Sequence, residues 1–169
     1  MASYGPDRPL SIELDPNAPG TIVRWNCILE SIKNIGMGTT LLFSPATVLA
    51  DYVRDPANLS PVLAASARSF GFCLLVVTIP MLMAIPNTVS GIESRKPLLW
   101  TYGICEAVEV VIFAYRSILD EDFLGLTPAG FRKLTSVVSV LMGLRFLMLL
   151  HKPQWLGRYR IVDEKSKHR

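Results

Sequence analysis

Glu106 and Glu109 stand three residues apart inside the apolar stretch PLLWTYGICEAVEVVIFAY, so on a helix they share a face. Two carboxylates this close in a low-dielectric medium cannot both ionise cheaply. Unless a cation compensates, one of them keeps its proton and becomes a candidate general acid. Four more ionisable residues fall in or beside apolar stretches: Glu30, Lys33, Arg68 and Arg145. The six divide into three acids and three bases. An unpaired charge in hydrocarbon is costly, so such residues are expected to pair and to face a bundle interior. Counting inward from the span ends puts Lys33 near Glu106, Glu30 near Arg145, and Arg68 about one turn from Glu109. Asn26, Glu30, Lys33 and Asn34 recur at helical spacing and add a polar stripe. A structural ion-pair network that fixes helix register is the plainer expectation for these residues.

Other chemistries lack their residues. The two histidines, His151 and His168, are not clustered, so the histidine-rich iron sites of membrane hydroxylases cannot be assembled. No G-x-S-x-G nucleophile elbow and no phosphate-binding loop is present. Gly36-Met37-Gly38 lacks the rest of a dinucleotide fingerprint and suits close helix packing instead. Asp120-Glu121-Asp122 reads as a solvated loop. The expectation is therefore no metal and no cofactor. Cys27, Cys73 and Cys105 are odd in number and lie in apolar segments, which suggests small buried hydrophobes and no disulfide framework.

The elements that must position these charges are apolar and long. The chain has 169 residues, 50% hydrophobic and 18% charged, with a mean hydropathy of +0.36, which points to a lipid bilayer. Three segments come near the ~20 residues that span hydrocarbon as a helix. They are residues 64–86, 97–115 and 134–150. A fourth candidate, residues 22–49, is interrupted by Arg24, Glu30 and Lys33, but 35–43 is free of charge and a spanning role is expected. Pro45 should end or kink it, as Pro80 and Pro86 should in the next segment. Helices are read because they satisfy their own backbone groups in lipid. The fold expected is an all-α integral membrane four-helix bundle over residues 21–151. Residues 1–20, with four prolines and no signal-peptide pattern, read as a flexible cytosolic tail. Residues 152–169 read as a basic cytosolic tail. Trp25, Trp100 and Trp155 sit near segment ends, as interfacial anchors do.

Four spans place both termini and the Arg95-Lys96 region on one side. That side carries nine Lys and Arg residues against four on the other, so both ends should be cytosolic. The net charge of +3 is small and gives no nucleic-acid footprint. The chain closes on KSKHR, with Lys165 and Lys167 spaced as in the cytosolic dilysine signal that returns membrane proteins to the endoplasmic reticulum. Asn58-Leu59-Ser60 is a glycosylation sequon, expected to be poorly used because Pro61 follows it beside the membrane.

Two stretches carry a family resemblance. Ser66-Ala67-Arg68-Ser69-Phe70-Gly71 and Met142-Gly143-Leu144-Arg145-Phe146-Leu147 resemble spans two and four of the small four-span scaffold proteins of ergosterol biosynthesis. Glu109, followed by Phe113 and Arg116, is similar to that family's third span, although Cys105 and Glu106 stand where it tends to carry a histidine. Small DoxX-like membrane proteins also place Arg and Gly at the start of the second span. The scaffold resemblance implies an endoplasmic reticulum protein that tethers membrane enzymes of sterol, terpenoid or other lipid biosynthesis. The alternative, from the residues themselves, is a cofactor-independent cyclase or isomerase. It would act on a hydrophobic isoprenoid or polyketide, with Glu106 or Glu109 as acid and Arg68 or Arg145 stabilising charge. A transporter would need more helices than one small bundle supplies.

Overall fold

A computed structural model describes residues 10–119 and 121–163. The described residues are mostly helical. Strand β1 (Leu10–Leu14) is followed by α1 (Thr21–Phe43), the short α2 (Pro45–Leu49), α3 (Pro61–Met83), α4 (Val89–Ile118), α5 (Pro128–Phe146) and strand β2 (Tyr159–Asp163). A π-helical turn, Leu147–His151, extends α5, and a 3₁₀ turn, Pro153–Leu156, leads into β2.

Local chemistry sets the helix starts. Ser60, Thr88 and Thr127 each accept a hydrogen bond from the backbone N–H three residues on, at 3.2, 3.1 and 3.0 Å. Pro61 and Pro128 follow two of these caps at the first helical position, where a missing N–H costs nothing. Gly20 opens α1 at φ 68°, a left-handed conformation that glycine adopts freely. Ser44 and Pro45 end α1 as expected. Pro80 does not end α3, which runs on to Met83, and α4 begins eight residues before Pro97 rather than at it.

Three helices are long and apolar enough to cross a membrane: Pro61–Met83, Val89–Ile118, and Pro128–His151. Their outer faces expose Phe72, Ile79, Val108, Val111, Val137 and Val140, a surface that fits lipid tails and not water. Helix α1 is outside this set because of its charges, yet it has the same 23 residues as α3. At 1.5 Å per residue that is about 34 Å, against roughly 30 Å of hydrocarbon.

The long helices alternate in direction, and the tight pairs are α1 with α3 and α4 with α5. Gly38 and Gly71 make the first pairing close: a Cβ on either would lie 2.8 or 2.7 Å from the other's carbonyl oxygen. At the end where the helices connect through loops 44–60 and 119–127, Thr127 N–H donates to the Tyr52 carbonyl at 3.0 Å. Arg54 grips Asp122 there through Nε at 2.9 Å and Nη2 at 3.2 Å. At the opposite end lies the apolar core of Val23, Cys27, Ala84, Leu99, Met148 and Leu156.

That second end also differs from the expected pair of free tails. β1 and β2 pair antiparallel from Leu10 with Asp163 to Leu14 with Tyr159. The ladder continues through Asp15 N–H to the Arg158 carbonyl and Arg158 N–H to the Ala18 carbonyl, both 2.9 Å. The described fold is thus helical with a two-stranded ribbon. The ribbon exists because backbone groups of the two tail segments satisfy each other, a pairing that apolar periodicity does not reveal.

Candidate functional site

Arg145, on the last turn of α5, is the centre of the ionisable group. Its Nε donates to Glu106 Oε2 at 2.7 Å, and its Nη2 forms a salt bridge with Glu30. The three side chains are 3, 12 and 9% exposed, so one guanidinium joins α5 to α4 and to α1 in the interior. Asn26 Nδ2 supports Glu30 at 3.4 Å, and the guanidinium lies 5.0 Å above the Tyr102 ring. The Tyr102 hydroxyl donates to the Val77 carbonyl, which ties α4 to α3. Deeper in, Asn34 Nδ2 approaches Met81 Sδ at 3.8 Å. Arg145 Nη1 and Ser31 Oγ are buried without a protein partner.

The other charged residues behave differently. Glu106 takes Arg145 and not Lys33, because the guanidinium fork reaches both acids at once. Lys33 is exposed and makes no salt bridge among the described residues. Arg68 is exposed and Glu109 half-buried, and neither forms a hydrogen bond or a salt bridge among the described residues. The two acids thus divide: Glu106 is committed to Arg145, and Glu109 is left with Glu106 as its charged neighbour.

Sequence reasoning missed a second buried arginine. Arg95, counted above only among the basic residues on the side of the termini, lies in α4 and is 0% exposed. Its Nε donates to the Ala84 carbonyl at 2.9 Å and its Nη1 to the Leu156 carbonyl at 2.7 Å. Its Nη2 donates to Ile85 and Pro86 carbonyls and to Asn87 Oδ1, at 3.2, 3.1 and 2.9 Å. Gly20 and Gly157 flank the guanidinium, and a Cβ on either would run into Nη1. Arg95 therefore caps the end of α3 and clamps both tail segments to it.

No three His, Cys, Asp or Glu side chains gather into a metal-holding group among the described residues. Cys27 is buried as expected, whereas Cys73 and Cys105 lie on exposed helix faces, and all three are free. Trp25 is exposed near the start of α1, while Trp100 packs edge-on against Phe146 at 5.8 Å. A groove of about 370 Å³ on the outside of α4 is lined by Ile104, Ala107, Val108, Val111, Ile112 and Phe146, with nothing polar to orient a reacting atom.

Outside the helices, Asn58 sits in a 3₁₀ turn with its Nδ2 donating to Asp55 Oδ2 at 2.8 Å. That bond, together with backbone N–H donors, holds the Asp55 carboxyl below the usual carboxylate range. Tyr159 donates its hydroxyl to Glu93 at 2.6 Å, which raises the phenol above its ordinary value. Lys165 and Lys167 lie outside the described residues. No protein-family model, curated protein or solved structure matches the chain.

Proposed function

We propose that the chain is a four-span membrane protein of the endoplasmic reticulum, with both termini cytosolic, that organises enzymes of sterol, terpenoid or other lipid biosynthesis. The observation that carries the proposal is the use of Arg145. Its salt bridges to Glu30 and Glu106 spend the polar centre on joining three helices. Because Glu30 is paired, α1 can cross the bilayer beside α3 with its central acid satisfied. What remains for function is the broad apolar outer surface, which suits contact with other membrane proteins. The resemblance of residues 66–71 and 142–147 to the ergosterol scaffold family supports this assignment, as does the dilysine-like tail. Crosslinking in native membranes followed by mass spectrometry should recover several enzymes of one lipid pathway. Recovery of none under gentle conditions contradicts the proposal.

One observation favours the cyclase or isomerase alternative and narrows it. Glu109 has no salt-bridged cation among the described residues, so it is a better acid candidate than Glu106. Under that reading Glu109→Gln abolishes turnover of a bound hydrophobic substrate while the protein still accumulates. Under the scaffold reading the larger loss of abundance follows Glu106→Gln.

A further inference from the structure

Arg68 and Glu109 are opposite charges on helices that satisfy the length and hydropathy of membrane spans. Neither has a salt-bridge or hydrogen-bond partner among the described residues. Their depths match. Helices α3 and α4 run antiparallel, and two side-chain bonds relate their levels: Arg95 Nε with the carbonyl of Ala84, just past the end of α3, and Tyr102 hydroxyl with the Val77 carbonyl. Both bonds step along the two helices by seven residues. A further seven residues bring Glu109 level with Phe70, two residues from Arg68, which is about 3 Å along the axis. Yet Arg68 is exposed and forms no hydrogen bond or salt bridge with Glu109.

We propose that this surface is an interface between copies of the chain, in which Arg68 of one copy pairs with Glu109 of another. Subunits related by rotation about the membrane normal keep every residue at its own depth, so an acid and a base at one depth can meet only if their levels agree. Here they do. The pairing removes two charges from hydrocarbon at once, and a guanidinium can meet a carboxylate through two hydrogen bonds. The occupant is therefore a second copy, because the chain itself carries the complementary charge at the required depth. The inference does not rest on the scaffold function. It leaves Glu109 ionised, so its success also removes Glu109 as a proton donor.

Charge exchange tests it. The full-length protein, its Arg68→Glu and Glu109→Arg single variants, and the double variant are extracted in mild detergent and sized by light scattering. The wild type should be oligomeric, each single variant should run as a monomer, and the double variant should recover the oligomer. Mixing the two single variants should restore assembly between differently tagged chains. Helicity and thermal unfolding are read in parallel, and they should change little because neither side chain has a hydrogen bond or salt bridge among the described residues. A monomeric wild type, or an oligomer indifferent to every exchange, overturns the proposal. So does a well-folded double variant that stays monomeric.

Discussion

Two buried arginines hold this molecule, and they do so by different means. Arg145 faces two carboxylates in the interior of the helices. Arg95 faces only neutral oxygens, four backbone carbonyls and one side-chain amide, where the helices meet the tails. Removing Arg145 leaves charge uncompensated. Removing Arg95 leaves carbonyls unsatisfied and a slot between Gly20 and Gly157 unfilled. The first arginine ties α1, α4 and α5 together in the interior, and the second ties the end of α3 to the segment after α5.

The largest expected effect is on the ionic centre. Arg145→Met should destabilise the protein by about 3–5 kcal/mol, since it strands Glu30 and Glu106. Adding Glu30→Gln and Glu106→Gln to that variant should recover much of the loss, which thermal unfolding in detergent can measure. A smaller and more local effect is expected at the clamp. Arg95→Lys should cost about 2–3 kcal/mol, because an ammonium cannot reach the carbonyls of residues 84–86 and of Leu156 together. Hydrogen exchange should then rise in residues 10–14 and 159–163 while the middles of α3 and α5 stay protected. If exchange rises throughout, the distinction between centre and clamp fails.

Much of this contrast was hidden from sequence for physical reasons. The charges inside apolar stretches announced an ionic network, and the proximity of Glu30 to Arg145 followed from counting depth along the spans. Which acid Arg145 would also take did not follow, because helix rotation is a tertiary property. The helix starts at Ser60-Pro61 and Thr127-Pro128 are set locally, by an N-cap side chain and a proline at the first helical position. Arg95 was not legible. A basic residue near a span end reads as a solvated flank, and its carbonyl partners come from residues 84–86 and 156, segments that only folding brings together. The ribbon was missed for a similar reason, because β1 and β2 lie at opposite ends of the chain.

Two finer tests sharpen the comparison. Gly38→Ala should cost about 1–3 kcal/mol, because its Cβ would press on the Gly71 carbonyl. Gly36→Ala meets nothing within 4 Å and should be neutral, or stabilising by up to about 1 kcal/mol through helix propensity. The smallest effect lies at the ribbon. Tyr159 has a raised folded-state value, so its bond to Glu93 holds below the ordinary phenol value of about 10 and is lost as pH rises through the higher folded value. Ribbon exchange should accelerate in that alkaline window, and Tyr159→Phe should remove the pH dependence.

The central claim is that a helix as charged as α1 crosses the bilayer because Arg145 satisfies Glu30. The direct measurement places single cysteines at Asn17 and Ser44, beyond the two ends of α1, in a chain whose own three cysteines are replaced. Sealed membrane vesicles are then treated with a membrane-impermeant maleimide. The account predicts labelling of the two positions from opposite sides, with Asn17→Cys reached from the cytosolic side. Labelling of both from the same side would contradict it and place α1 along the membrane surface.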